Sequence, residues 1–124
     1  RTYTFAPLEI KFMKSILISA LTAAAFLTST VALANTDLAK KNNCLACHAV
    51  DKKLVGPSYQ DIAKKYAGQA GAEAKLFDRV KKGTDATGGP NWKKETGGIP
   101  MAANVMVKDD DIKALVKWVL AGAK

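Results

Sequence analysis

The chain has 124 residues, 48 % of them apolar and 24 % charged, and its 19 Lys and Arg against 11 Asp and Glu give a net charge of +8. That is one domain's worth of protein with globular usage, which excludes a disordered, collagen-like or low-complexity chain. Two cysteines and a single histidine are too few for a zinc site of four cysteines or of two cysteines and two histidines, and no repeat or block of like charge suggests a nucleic-acid tail.

In chain order, the first segment differs from the rest. No charged residue occurs from Ser15 to Thr36, with Lys14 and Asp37 as its boundaries. Met13 and Lys14 form a short positive start, Ile16 to Leu27 is mostly apolar, and Ala32-Leu33-Ala34 supplies a small-x-small cleavage pattern. Six of the twenty residues from Ser15 to Ala34 are Ser or Thr, which favours a cleaved export signal over a retained anchor. The expectation is an upstream extension over residues 1–12, a signal peptide over 13–34 and a mature domain over 35–124 starting at Asn35. That domain has 16 basic and 10 acidic side chains, so it stays cationic at +6. At this size a chain buries only about 60–65 % of its unfolded surface, and something else is expected to help fill the core.

Asp37 is a candidate cap for a short helix through Asn43, with Leu38 and Ala39 inward and Lys40 and Lys41 outward. Gly56-Pro57 breaks the chain, and Pro57 is placed as the first residue of a helix running through Ser58 to Tyr66, with Ile62, Ala63 and Tyr66 on its apolar edge. A third helix is predicted over Ala72–Lys82, with Ala72, Leu76 and Val80 at steps of four and Gly83 as its stop. The 24 residues from Thr84 to Val107 contain Gly88-Gly89-Pro90, Gly97-Gly98 and Pro100 and show no helical period, and a loop that long in a small domain usually has a function. A last helix begins at Asp109-Asp110-Asp111 and buries Ile112, Leu115, Val116 and Val119 at i, i+3, i+4 and i+7; Trp118 reads as plain core. The result is an all-helical domain around one long loop.

Cys44-Leu45-Ala46-Cys47-His48 is C-x-x-C-H, the covalent haem attachment pattern. On a helical turn two thiols three residues apart face the same way and can add to the two vinyl groups of one porphyrin edge, and the next residue points its imidazole at the iron. Chance placement of two Cys and one His gives this pattern in roughly one arrangement in eight thousand. A thioredoxin-like dithiol would need a strand before it and a βαβ context, and a disulfide closing so small a loop would staple little. One histidine leaves the sixth iron position open, for which the candidates are Met101 and Met106. Met101 follows the stiff Ile99-Pro100 approach, whereas Met106, between Val105 and Val107, fits the role of core filler better.

CLACH, the VGP of Val55-Gly56-Pro57, YAGQAGAEAKLFDRVKKG, the IPM ending at Met101 and the terminal KALVKWVL together resemble the small bacterial class I cytochromes c, in particular the short-chain periplasmic group. The resemblance covers nearly all of residues 35–124. It implies an all-α class I cytochrome c fold of about four short helices around one covalent haem c, with a long Met-bearing loop, and a single-electron carrier rather than an enzyme. It implies Cys44 and Cys47 as thioether anchors and His48 and Met101 as axial ligands. It further implies that Pro57 offers its carbonyl to His48 Nδ1, that Asn104 contacts the methionine sulfur, and that Arg79 and Trp92 reach a haem propionate, although the stretch from Trp92 to Met101 is longer than the family's usual turn. The expected partners are a nitrite reductase, a terminal oxidase or an upstream quinol-oxidising complex in the periplasm. A monomer with no nucleic acid and no stable membrane insertion would dock on acidic partners through Lys52, Lys53, Lys93 and Lys94. The rival reading is a five-coordinate haem c that senses a gas or cleaves peroxide, which requires that neither methionine binds iron.

Overall fold

The computed structural model describes residues 35–124. The expected extension, signal peptide and cleavage after Ala34 lie outside the described residues. From residue 35 onward the regular structure is helical, joined by turns and irregular chain, and the one bridge between extended residues pairs His48 with Lys53.

Helix α1 covers residues 35–41 and buries Ala39 completely while Lys40 and Lys41 face solvent. Asp37 does not cap it. Asn35 and Thr36 carry nothing that breaks a helix and are already helical, so Asp37 sits within the helix. The chain leaves α1 through Asn43, whose left-handed backbone (φ 58°) suits an asparagine, and enters a 3₁₀ turn over Cys44–Ala46.

Helix α2 spans Tyr59–Tyr66. Ser58, not Pro57, sets its start, because the Ser58 hydroxyl accepts the Asp61 N–H at 3.0 Å and so satisfies an otherwise orphaned donor. Pro57 lies one residue before the cap, where its carbonyl is directed elsewhere. Helix α3 spans Ala72–Lys82 and stops at Gly83 as the sequence predicts. Helix α5 spans Asp109–Leu120 with three aspartates in its first turn, and Ile112, Leu115, Val116 and Val119 are all buried.

Helices α3 and α2 both pack on α5. Two clusters fill the interior. Ala39, Tyr59, Leu115, Trp118 and Val119 form one, and Tyr66, Ala72, Leu76, Ile112 and Val116 form the other. Trp118 is core as expected, with Tyr59 edge-on to it at 5.4 Å and its indole N–H donated to the Lys124 carbonyl at 3.2 Å.

The long segment from Thr84 to Val107 is not without helix. It holds a 3₁₀ turn over Asp85–Thr87 and a single helical turn, α4, over Lys93–Thr96. Periodicity needs a window of about 11–18 residues to register, so a four-residue turn between glycine pairs is invisible to it.

Candidate functional site

The cysteine motif coils on itself. The N–H groups of Cys47 and His48 both donate to the Cys44 carbonyl, at 3.3 and 3.0 Å. This brings Cys44, Cys47 and His48 onto one cavity wall. Both cysteines are free, and burial pushes the Cys44 thiol up, away from the thiolate chemistry of a redox dithiol.

His48 is buried, with Nδ1 2.7 Å from the Pro57 carbonyl. A carbonyl only accepts, so Nδ1 carries the proton and donates, leaving the Nε2 lone pair free for a metal. Burial pushes the imidazole pKa down against the opposing pull of the Pro57 carbonyl, which favours the neutral, ligating form. Two more neighbours fix the ring. Tyr59 stacks on it at 5.4 Å and 17° between planes, and Gly56 lies so close that an added Cβ would stand 2.4 Å from His48 Cε1. Tyr59 is not singled out by the sequence reading; its position directly after the Ser58 cap, two residues from the carbonyl that accepts the His48 Nδ1–H bond, is the signal that points to it.

The cavity encloses about 370 Å³, within the usual range for ligand sites, and is walled largely by apolar side chains including Val55, Leu76, Ile99, Val116 and Val119. Met101 lines it too. The main chain at Met101 is held from both sides by Thr84: Met101 N–H donates to Thr84 Oγ1 at 2.8 Å, and Thr84 N–H donates to the Met101 carbonyl at 3.0 Å. Met106 is 92 % exposed and does not line the cavity, so it is neither core filler nor a rival at this site. The apolar run Val105 to Val107 crosses the surface because Lys81 ties its carbonyls to α3: Nζ donates to Val105 at 3.2 Å and to Val107 at 2.9 Å.

The other expected contacts divide. Arg79 lines the cavity and is buried, although it stands near the end of α3 where a basic side chain would ordinarily face solvent. Its terminal nitrogens donate to the Gly89 and Thr87 carbonyls at 3.1 and 3.4 Å, while its buried Nε has no partner in the protein. Trp92 also lines the cavity, with the Lys65 ammonium 4.1 Å from its ring centroid. Asn104 is not brought to the cavity. Its side-chain amide donates to the Val80 and Ala102 carbonyls at 3.2 and 3.1 Å, and its backbone N–H donates to Val80 at 3.0 Å, so it pins the loop to α3 and has no N–H left for a sulfur. Lys52, Lys53, Lys93 and Lys94 are all exposed.

This set of groups fits a haem. One imidazole and one thioether are too few donors for a bare ion, and among the described residues no group of three His, Cys, Asp or Glu could hold one. They are the number that a macrocycle with four nitrogens leaves open. Two thiols line the same cavity and would tether such a group, and the buried, unpartnered Arg79 Nε could donate to an acid oxygen of it.

Comparison with known proteins agrees. The cytochrome c family model matches residues 35–123. Cytochrome c-551 of Pseudomonas aeruginosa is 50 % identical over 84 residues, covering 68 % of this chain and 72 % of that protein. Cytochrome c-552 of Nitrosomonas europaea is 44 % identical over 108 residues, covering 87 % and 97 %. The crystal structure of wild-type Nitrosomonas europaea cytochrome c552 superposes with a TM-score of 0.61 at 48 % identity, over 69 % of this chain and 96 % of that one. The chain belongs to the cytochrome c family, whose members bind haem c covalently and transfer electrons rather than catalyse a reaction.

Proposed function

We propose that this cytochrome c is a periplasmic single-electron carrier whose haem iron is bound by His48 and Met101. The observation that carries the reading is that His48, its Nδ1 anchored on the Pro57 carbonyl, and Met101 line one cavity. When bound, the haem supplies a one-electron Fe(II)/Fe(III) couple. Every other contribution belongs to the chain. Cys44 and Cys47 tether the group, and Pro57, Tyr59 and Gly56 hold the imidazole in one tautomer and one orientation. Met101, a soft donor, favours the reduced state and so raises the potential. A fully ligated iron leaves no site for a substrate, which separates this reading from a gas sensor or peroxidase.

The cavity wall reaches the surface at Val55 and Ile99, which are 48 % and 56 % exposed. Lys52 and Lys53 precede Val55, and Lys93 and Lys94 follow the wall residue Trp92. This apolar edge with cationic flanks suits brief docking on an acidic redox partner, in which the charges set encounter rate more than affinity. A nitrite reductase or terminal oxidase would accept the electron, and a quinol-oxidising complex would supply it. The uncharged run ahead of residue 35 would export the chain and be removed after Ala34, and among the described residues no helix is long and apolar enough to cross a membrane. Mass spectrometry of exported protein should read Asn35 as the first residue.

The ligand test pairs two variants. Met101→Ala should lose the near-red sulfur-to-iron band of the ferric form, lower the potential and open the iron to carbon monoxide. Met106→Ala, at an exposed position, should leave the spectrum unchanged and stability within about 0.5 kcal/mol. An unchanged spectrum in Met101→Ala would overturn the His/Met assignment.

A further inference from the structure

We infer that Thr84 is the positioning residue for the Met101 sulfur, acting through the main chain of Met101 rather than through the iron. This rests on the reading of Met101 as the sixth ligand. Four observations converge on it. Thr84 is 9 % exposed, so its hydroxyl and amide form hydrogen bonds sheltered from competing water. It bonds both polar groups of the Met101 backbone, at 2.8 and 3.0 Å, across 17 residues of chain. It follows Gly83, the stop of α3, where the backbone of residues 101–103 passes so close that a Cβ on Gly83 would stand 3.0 Å from both the Met101 carbonyl oxygen and the Ala103 nitrogen. Finally, Thr84 lines the cavity itself, so the residue that holds the Met101 backbone also forms part of the wall that would face the bound group.

The geometry makes the Thr84 hydroxyl specific. Its oxygen accepts the Met101 N–H, and a side chain of the same shape without that oxygen leaves this N–H unpaired next to the wall. The Thr84 amide bond to the Met101 carbonyl needs no particular side chain and survives substitution. Removing the hydroxyl therefore loosens one of two bonds and leaves the loop attached but its ligand less well aimed. Methionine has three rotatable side-chain bonds, so its sulfur is positioned only as well as its backbone is.

The test uses the full haem-loaded protein and the variants Thr84→Val, which keeps shape and loses the acceptor, and Thr84→Ser, which keeps the acceptor and loses a methyl. Two quantities are followed in each: the near-red sulfur band of the ferric form as temperature rises, beside the far-ultraviolet helix signal, and the rate at which the ferrous form takes up carbon monoxide. Thr84→Val should lose the sulfur band well before its helices melt and raise carbon monoxide uptake roughly tenfold, the scale of one unsatisfied buried donor. Thr84→Ser should restore both to near the wild-type values. Band and helix signals that shift together in Thr84→Val, or failure of Thr84→Ser to restore them, would show a purely structural role and overturn the inference. A Thr84→Val protein indistinguishable from wild type would overturn it while leaving Met101 as ligand, whereas a wild type without the sulfur band would overturn both.

Discussion

The two walls of the haem cavity are built by different means. The His48 wall is made within a short stretch of chain: the cysteine turn, the bond from Nδ1 to Pro57 nine residues on, and the Tyr59 ring all lie between residues 44 and 59. The Met101 wall is made at a distance. Its loop is held to α3 by Thr84 across 17 residues, by Asn104 across 24 and by Lys81 across 24 and 26. A ligand positioned by its own neighbours keeps its aim as long as the local turn survives, and a ligand positioned by tertiary hydrogen bonds loses it when any one of them fails. The Met101 side is therefore the side expected to open first, an expectation that hydrogen exchange and the sulfur band can check.

That contrast can be broken or sharpened by substitution. The largest effect is expected from replacing Cys44 and Cys47 together by Ala, which removes the tether and with it the group that completes the core of a domain of this size. The chain should lose helical circular dichroism and show no cooperative melt; a well-folded apo-protein would mean that α2, α3 and α5 suffice without haem.

Gly56→Ala comes next. The new Cβ would meet the His48 ring at 2.4 Å, and the ring cannot retreat without giving up the Pro57 carbonyl or the stack on Tyr59. Overpacking of this kind costs about 1–3 kcal/mol. Unlike changes on the other wall, it should lower melting temperature and perturb the haem spectrum in the same transition.

A smaller effect is expected from Lys81→Met, which keeps the aliphatic stem and removes the ammonium that bonds Val105, Val107 and the Asp109 carboxylate. The cost should be about 0.5–1.5 kcal/mol. Amide hydrogen exchange should rise in residues 102–108 and stay unchanged in 44–59; equal acceleration in both would erase the distinction between the walls.

The smallest effect concerns acid. The Lys81 ammonium, hydrogen-bonded to Asp109 at 2.9 Å, holds that carboxyl below its ordinary value of 3.8. A carboxyl whose pKa is lower when folded adds stability above its ordinary value and loses it as pH falls through the lowered one. The difference between wild type and Asp109→Asn should therefore be constant near neutrality and shrink only as pH falls below 3.8, as followed by thermal melts across that range.

What was legible in the sequence follows the same division. The cysteine motif, α3 and α5 were readable because a five-residue spacing and an eleven- or twelve-residue period are properties of contiguous chain. So was the long loop, through its glycines and prolines. What was not readable depends on partners distant in sequence. Met106 looks like core in an apolar run, yet the Lys81 bonds to its neighbours leave it on the surface. Asn104 looks free to face a sulfur, yet the end of α3 takes its amide. Arg79 is basic and near a helix end, which ordinarily means solvent, and only the packed loop shows that it is buried. The sequence puts the start of α2 two residues early because Ser58 and Pro57 both suit a helix start and only the Asp61 N–H, taken by Ser58 as cap, decides between them.

The two bonds between Thr84 and Met101 also close residues 85–100 into a loop, whose first part is pinned to the body by Arg79 at Thr87 and Gly89 and by Lys65 and Tyr66 at Asn91. Such a stretch is a closed loop in the polymer sense, and the entropy of closing it grows only logarithmically with its length, by about 0.6 kcal/mol for each doubling. Residues can be gained or lost at the exposed turn of Lys93, Lys94 and Glu95 at little closure cost, whereas Pro90, Asn91, Trp92, Thr96, Ile99 and Pro100 line the cavity and are held to their places. The surface that α4 presents with its two lysines is thus free to drift in length and charge, so recognition of a partner can change while the cavity wall on either side of the turn stays in place.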